Sequence, residues 1–194
     1  MALLPSDKMV GSLVGRLEVV CGPMYSGKSE ELMRRLRRAE IAGYKVALFK
    51  WAGDHRYKRE KVVSHAGREM IALPVDDLGF LALHSLGYDV VGIDEGQFFP
   101  NLTAIAEAMS KKQIVIISGL DMTYRGEPFG DMPTLLAIAD RIDKLSAVCH
   151  SCGADASMTQ RLINGKPAPF SGPTVQVGGL ESYEARCRKC FEQG

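Results

Sequence analysis

The sequence has neither a long apolar run nor an excess of charge of one sign. No stretch approaches the roughly 18 apolar residues that a membrane-spanning helix needs. The chain carries 24 basic and 23 acidic residues, a formal net charge of +1, so no strong field attracts nucleic acid or a membrane surface. We therefore expect a small-molecule partner, and neither nucleic acid nor membrane.

An uninterrupted apolar segment is also missing near the N-terminus. Pro5, Asp7 and Lys8 stand where a signal peptide carries its apolar segment. This pattern favours a soluble, cytoplasmic protein.

Cysteine is scarce and unevenly placed. Five cysteines in 194 residues would leave one thiol over if they formed disulfides, and four of them form two CxxC pairs close to the C-terminus. Two thiolate pairs on short turns supply four soft ligands, a set that favours a closed, tetrahedral structural zinc site. The predicted zinc ligands are Cys149, Cys152, Cys187 and Cys190. We interpret Cys21 as a small, buried apolar residue.

The chain divides by pattern into three parts. Residues 1–15 have no clear period and are predicted to be a flexible tail. Residues 16–145 alternate strand-like and helix-like segments, whereas cysteine, glycine and proline dominate residues 146–194. Strands are predicted at 17–20, 45–50, 90–93 and 114–117, and helices at 29–42, 77–85, 101–111 with Asn101 as its cap, and 133–142. Strands that alternate with helices predict a parallel, doubly wound sheet.

A glycine-rich segment, GPMYSGKS, lies between the first predicted strand and the first predicted helix. It fits GxxxxGK[ST], and its context is the one that this phosphate-binding loop requires. Backbone N–H groups would hold phosphate oxygens, Lys28 would reach the outer phosphates, and the Ser29 hydroxyl would bind Mg²⁺. We expect ATP to contact the whole loop: Gly22, Pro23, Met24, Tyr25, Ser26, Gly27, Lys28 and Ser29.

An acidic pair, Asp94 and Glu95, ends the predicted strand at 90–93. Asp94 stands where a phosphate-loop enzyme places a carboxylate for Mg²⁺ or water, and Glu95 would face the terminal phosphate. If Glu95 activates water, the protein is an ATPase; if it takes a proton from a substrate hydroxyl, the protein is a kinase. The alternative is a purely structural role, in which the acidic pair only caps the next helix.

Two further segments admit a functional and a structural interpretation. Residues 163–179 are rich in glycine and proline and exceed the usual length of an unstructured connection, which favours a functional loop between the cysteine pairs.

The helix at 29–42 carries four arginines opposite its apolar stripe. We interpret that side as solvated or as contacting another subunit, rather than as a nucleic-acid site: Arg34, Arg35, Arg37 and Arg38.

Several motifs in order resemble one known family. They are PMYSGKS, the DHRY segment from Asp54 to Tyr57, GIDEGQFF, GLDMTYRGEPFG, AVCHSC and the second CxxC pair, and together they are similar to the type II thymidine kinases. The resemblance covers residues 17–190. It implies an α/β fold with a P-loop NTPase-type parallel sheet flanked by helices, followed by a small zinc-ribbon-like domain that carries a lasso loop.

The resemblance also implies an activity and an assembly. The family transfers the γ-phosphate of ATP, with Mg²⁺, to the 5′-hydroxyl of deoxythymidine. It is usually a homotetramer with a structural zinc, and the resemblance suggests feedback inhibition by dTTP.

Site residues follow from the resemblance position by position. Glu95 corresponds to the general base, Arg56 to a cation near the transferred phosphoryl group, and Asp54, Asp94 and Gln97 to positions at ATP and Mg²⁺. The nucleoside pocket would comprise Met24, Phe98, Leu120, Thr123, Tyr124 and Phe129. Lasso positions that enclose the base would be Thr159, Val175, Val177, Gly178 and Tyr183. The stretch GKPAPFSGP departs from the family by being longer and richer in proline.

Three other functions remain open on the residues. A kinase for another nucleoside, such as deoxycytidine, is one, because recognition through backbone groups leaves little mark on side chains. A small ATPase is the second. A zinc-ribbon module that binds nucleic acid and uses ATP as a switch is the third, and the near-zero net charge disfavours it.

Overall fold

A computed structural model describes residues 13–53, 61–63, 69–175 and 181–194. Residues 1–12 of the predicted tail lie outside these ranges, as do four predicted site residues: Asp54, Arg56, Val177 and Gly178. Among the described residues, no helix has the length and apolar character needed to cross a lipid bilayer.

The described part of the chain contains thirteen strands, four α-helices and one short 3-10 helix at Gly96–Phe98. The helices are α1 (Lys28–Ile41), α2 (Leu78–His84), α3 (Leu102–Ser110) and α4 (Met132–Ile138). The strands are β1 (Arg16–Cys21), β2 (Val46–Trp51), β3 (Lys61–Val63), β4 (Glu69–Ile71), β5 (Leu73–Val75), β6 (Val90–Asp94), β7 (Ile114–Gly119), β8 (Arg141–Lys144), β9 (Ala147–Val148), β10 (Asp155–Ala156), β11 (Met158–Ile163), β12 (Lys166–Pro167) and β13 (Glu181–Arg186).

The main sheet has six parallel strands in the order β5-β2-β6-β7-β1-β8. Its central strands β6 and β7 are buried at every position, as expected for nearly continuous apolar runs covered on both faces. One face packs against α1 through Leu32, Met33 and Leu36. The other packs against α2, α3 and α4. The predicted α/β fold with a parallel sheet flanked by helices is therefore confirmed.

Helix α1 buries one of its arginines within the chain, contrary to the prediction that all four lie on a solvated or subunit-contacting face. Arg35 is only 8% exposed. Its guanidinium donates to Glu18 Oε2 at 2.6 Å and to Glu31 Oε1 at 2.8 Å, and it also pairs with Asp143. Because Glu18 lies on β1 and Asp143 on β8, Arg35 joins the helix to the edge of the sheet. Arg34 and Arg38 are exposed as predicted.

The start of α3 differs from the predicted cap. Asn101 adopts a left-handed conformation with φ of 64°, and its side chain makes no capping hydrogen bond. Asp131 Oδ2 instead accepts from the Thr103 N–H at 2.9 Å. By contrast, Asp77 caps α2 locally, because its carboxylate accepts from the Phe80 N–H.

The helix predicted at 133–142 ends early, at Ile138, and β8 follows it. Asp140 fixes this ending: its carboxylate accepts from the Leu17 N–H at 2.8 Å, and its own N–H donates to the Leu17 carbonyl at 2.9 Å. Those bonds make residues 141–144 an added parallel strand beside β1. The extension of the helix to residue 142 was wrong, because a long-range contact overrides the local pattern.

The C-terminal part forms two small antiparallel sheets, β10-β9 and β12-β11-β13. Strands β11 and β12 form a hairpin through Asn164 and Gly165, so the glycine- and proline-rich segment begins in regular structure rather than as an open loop. The separate apolar cluster here contains only small residues: Ala147, Cys149, Ala156 and Ala185, with Cys187 and Cys190 packed against them. So little apolar volume stabilises a fold weakly without a crosslink or metal.

Candidate active site

The site lies at the carboxyl edge of the main sheet, where the loops after β1, β6 and β7 meet. In the parallel register Cys21 pairs with Gly119 and Ile93 with Ile117, so these strands end side by side. Ligands bind at this edge in open α/β sheets. The segments that follow are the phosphate loop, the acidic pair and the GLDMTYRGEPFG segment.

The phosphate loop wraps back on itself before α1 begins at Lys28. Gly22 is required at its start, because φ is +144° and a Cβ there would lie 2.4 Å from the Leu145 carbonyl oxygen. The Pro23 carbonyl accepts from Lys28 Nζ at 2.7 Å and from Ser26 Oγ at 2.9 Å. Tyr25 is left-handed, with φ of 65°. Amide groups at the start of α1 can therefore face an anion beside the Lys28 ammonium group.

Asp94 of the acidic pair lies near the phosphate loop. Burial and, to a smaller extent, the charge of Glu95 raise the pKa of Asp94 to about 6, although hydrogen-bonding groups, among them the Ser29 side chain, oppose the shift. The Ser29 side chain therefore lies near the Asp94 carboxylate. A carboxylate and a nearby hydroxyl supply the kind of oxygen donors that Mg²⁺ takes beside phosphates, so these residues fit the predicted ion.

Glu95 stands at the turn immediately after β6 in a strained backbone conformation. Its φ of 58° and ψ of 41° are left-handed, which is uncommon for a residue with a Cβ. Its Oε2 accepts from Gln97 Nε2 at 2.6 Å. Strain of this kind persists only where surrounding contacts hold it, and it concentrates at functional sites. The side chain is half-buried, so a substrate group can approach it.

An aromatic cluster adjoins Glu95. The Phe98 ring lies 4.4 Å from the Trp51 ring, centroid to centroid, and 5.6 Å from the Phe129 ring, which it meets edge-on. All three side chains are half-buried, so their outer faces can cover a flat apolar ligand. Two of these residues were predicted for the nucleoside pocket, and Trp51 was missed. The sequence feature that could have indicated Trp51 is its position at the end of β2. Strand β2 pairs with β6, and the acidic pair lies at the end of β6.

Leu120 and Thr123 lie on the loop after β7. Leu120 is half-buried, and its N–H donates to Gln97 Oε1 at 2.9 Å. Thr123 is buried in a tight turn, where its N–H donates to the Glu127 carbonyl at 2.8 Å. Leu120 can face a ligand, whereas the contacts of Thr123 shape the loop.

Arg161 links Tyr124 and Tyr183 to the loop at residues 168–175. Arg161 is 2% exposed and lies 3.9 Å from the Tyr124 ring centroid. Its guanidinium donates to the Tyr183 hydroxyl at 2.9 Å and to the carbonyls of Pro173 and Thr174 at 2.6 and 2.9 Å. Sequence reasoning did not single out Arg161, because neither its burial nor its partners follow from local pattern.

The two predicted ligand residues at this end of the chain differ in their surroundings. Val175 is 40% exposed at the last described position of the loop. Thr159 is buried on β11, and its Oγ1 accepts from the Met24 N–H at 3.0 Å. Thr159 therefore contacts the phosphate loop, which the resemblance alone did not indicate. Met24 itself is half-buried.

The four predicted metal ligands come together. The Sγ atoms of Cys149, Cys152, Cys187 and Cys190 all lie within 4.8 Å of one another. The pair Cys152 and Cys187 is separated by 3.7 Å. Tetrahedral zinc with Zn–S bonds of about 2.3 Å places its sulfurs about 3.8 Å apart. The predicted cysteine cluster is confirmed, and it can hold a metal ion such as zinc.

Hydrogen bonds within the cysteine cluster shift the pKa values of its thiols. A hydrogen bond from the Cys187 backbone lowers the pKa of Cys149 to about 6. Hydrogen bonding with the Cys187 and Cys152 side chains raises the pKa of Cys190 to about 12, since its thiol then acts as a donor. Cys21 lies apart from the cluster, and burial raises its pKa to about 11, so it behaves as the predicted apolar residue.

Comparison with known proteins gives one family. The thymidine kinase family model matches residues 15–191. A thymidine kinase of Coprothermobacter proteolyticus is 53% identical over 175 residues, which cover 89% of this chain and 88% of that protein. A thymidine kinase of Deinococcus deserti is 51% identical over 187 residues, which cover 90% of this chain and 93% of that protein. The range matched by the family model includes the phosphate loop, the acidic pair and both cysteine pairs.

Proposed function

Because this chain belongs to the thymidine kinase family, we propose that it transfers the γ-phosphoryl group of ATP to the 5′-hydroxyl of deoxythymidine. The products are dTMP and ADP. The observation that carries the proposal is the meeting at one sheet edge of a phosphate loop, a carboxylate and an aromatic cluster. Asp94 lies near Ser29 of the loop, and the neighbouring Glu95 precedes Phe98, whose ring packs against Trp51 and Phe129.

Glu95 acts as the general base in this proposal. Its carboxylate accepts the proton of the 5′-hydroxyl as the oxygen bonds to the γ-phosphorus, and the bond from that phosphorus to the β–γ bridging oxygen breaks. The electron pair of the broken bond remains on ADP. The Lys28 ammonium group exchanges its bond to the Pro23 carbonyl for the outer phosphates, where it offsets their negative charge. Arg56 is proposed to add positive charge there, and Asp54 to belong to the same site.

Asp94 and Ser29 would hold the Mg²⁺ that accompanies ATP. The nearness of their side chains supports this assignment, and the pair supplies oxygen donors of the required kind. When bound, Mg²⁺ neutralises charge on the β- and γ-phosphate oxygens.

The thymine ring is proposed to lie against Phe98 and Phe129, with Leu120 and Met24 beside it. Aromatic faces give apolar contact to a flat base at low entropic cost. Thr123 and Tyr124 would shape this pocket from the loop after β7, and Thr159, Val175, Val177, Gly178 and Tyr183 would complete it from the lasso side. Closure of the lasso would exclude water that could otherwise accept the phosphoryl group.

Residues 16–145 are proposed to form the kinase domain and residues 146–194 a zinc and lasso domain. The separate small apolar cluster around Cys149 supports this boundary, and zinc at the four cysteines would stabilise it. A homotetramer, feedback inhibition by dTTP and a cytoplasmic location are further parts of the proposal, and they rest on the family resemblance.

A nucleoside panel tests the substrate. The protein is incubated with γ-labelled ATP and deoxythymidine, deoxycytidine, deoxyadenosine or no nucleoside, and labelled monophosphate and free phosphate are separated. We expect label in dTMP and little free phosphate. Labelled phosphate released at the same rate without nucleoside would identify an ATPase, and preferential labelling of deoxycytidine would identify a different nucleoside kinase.

A further inference from the structure

Gln97 is buried directly behind Glu95, and both ends of its amide are engaged. Its exposure is 4%. Nε2 donates to Glu95 Oε2 at 2.6 Å, and Oε1 accepts from the Leu120 N–H at 2.9 Å. Because a backbone N–H can only donate, the Leu120 bond decides which end of the amide is oxygen. The NH₂ group must therefore face the Glu95 carboxylate.

Packing leaves this amide little freedom. A Cβ added at Gly119 would lie 2.7 Å from Gln97 Oε1, so the backbone of β7 approaches the amide closely at the residue before Leu120. Buried polar groups that are fully hydrogen-bonded are rigid, because any other rotamer leaves a donor or acceptor without its partner. The orientation of Gln97 is thus set by the strand that ends beside the phosphate loop.

We propose that Gln97 is a positioning residue that holds the Glu95 carboxylate in the rotamer from which it takes the 5′-hydroxyl proton. The inference rests on the proposed role of Glu95 as the general base. A hydrogen bond donated by a fixed amide to a charged carboxylate is among the stronger polar contacts, and it opposes rotation of a side chain whose backbone is already strained. This differs from the resemblance, which places Gln97 at ATP and Mg²⁺.

The contact with Leu120 adds a second consequence. Leu120 belongs to the loop proposed to contact the nucleoside. Gln97 therefore links the position of the Glu95 carboxylate to the position of that loop. Holding a reacting group in place contributes to turnover rather than to binding, because only the transition state uses the alignment. A positioning role therefore predicts a lower kcat with little change in the KM for ATP.

Two substitutions separate this role from simple packing. Gln97→Met removes both hydrogen bonds while keeping a side chain of similar length. Gln97→Glu keeps an acceptor for the Leu120 N–H and removes the amide donor to Glu95. Both variants are expected to lower kcat roughly 10- to 100-fold, with the KM for ATP within about twofold of the wild type. A Gln97→Glu enzyme with wild-type kcat would overturn the proposal, because the Leu120 bond would then suffice.

A double-substitution cycle with Glu95→Gln completes the test. If Gln97 acts through Glu95, adding Gln97→Met to Glu95→Gln should cause no further loss of kcat. If the two losses multiply, the inference about Gln97 is wrong while the role of Glu95 stands. If Glu95→Gln alone retains near-normal kcat, the proposed general base is wrong. Gln97→Glu in the same background gives the result again should the Met variant fold poorly.

Discussion

Thr159 Oγ1 accepts a hydrogen bond of 3.0 Å from the Met24 N–H, across 135 positions of the chain. The bond joins the small C-terminal sheet to the phosphate loop. It also fixes one amide of the loop before any nucleotide binds. The cysteine-rich part of the chain thus contributes to the geometry of the loop that we propose to hold ATP.

Thr159→Val should therefore destabilise the protein by about 1–3 kcal/mol, because the shape is kept while the Met24 N–H loses its acceptor. Thr159→Ser keeps the hydroxyl and is the matched control, with a smaller expected loss. Urea unfolding of both variants measures the difference. Equal losses for Val and Ser would show that the hydroxyl contributes nothing.

Arg35→Met should cost about 3 kcal/mol of stability, because the buried Glu18 carboxylate loses one of its two arginine partners and keeps only the more exposed Arg16. The adjacent Arg34 pairs with Glu31 on the surface, where its side chain is 50% exposed. Arg34→Met is the control, with an expected loss of about 0–1 kcal/mol. Thermal or urea unfolding measures the loss of stability in each variant. Similar losses for Arg35→Met and Arg34→Met would contradict this account.

Arg161→Met should release the loop at residues 168–175, because its guanidinium holds the carbonyls of Pro173 and Thr174. We expect faster chymotrypsin cleavage after Phe170 and a higher KM for thymidine, with the KM for ATP little changed. Arg186→Met, on the neighbouring strand β13 and paired with Glu184, is the control. Thymidine should slow the cleavage of the wild type, and cytidine should not; equal effects of both nucleosides would argue against a lasso.

Cys187→Ser should abolish metal binding and lower thermal stability, because structural zinc contributes its binding free energy to folding. Elemental analysis should find one zinc per wild-type chain. Cys21→Ala, which lies outside the cluster, should keep that zinc. A fully active wild-type protein that contains no metal would exclude the zinc assignment.

The sequence predicted what is encoded locally and missed what depends on distant contacts. The phosphate loop, the acidic pair and the cysteine pairs are short motifs, and each occupies the predicted position at a strand end or turn. Burial of Arg35, by contrast, requires carboxylates from β1 and β8. Strand β8 itself forms because Asp140 pairs with Leu17, a contact invisible in the pattern of residues 133–142.

Roles within the site divide in the same way. Phe98 and Phe129 were singled out because they belong to family motifs, and their rings do meet, while their contact with a nucleoside stays a prediction. Trp51 was not, since its place in the cluster depends on the pairing of β2 with β6. Arg161 and Gln97 act through hydrogen bonds to groups 12 and 23 positions away, and no local pattern indicates such partners.

Single-turnover phosphoryl transfer by Glu95→Gln tests the proposed reaction. The variant keeps the size of the side chain and can still contact Gln97, but it cannot accept the 5′-hydroxyl proton. Formation of labelled dTMP from γ-labelled ATP should slow by roughly 10²–10⁴-fold, while ATP affinity measured by equilibrium binding stays close to that of the wild type. A rate of dTMP formation within a few-fold of the wild type would contradict the account and remove Glu95 from the chemistry.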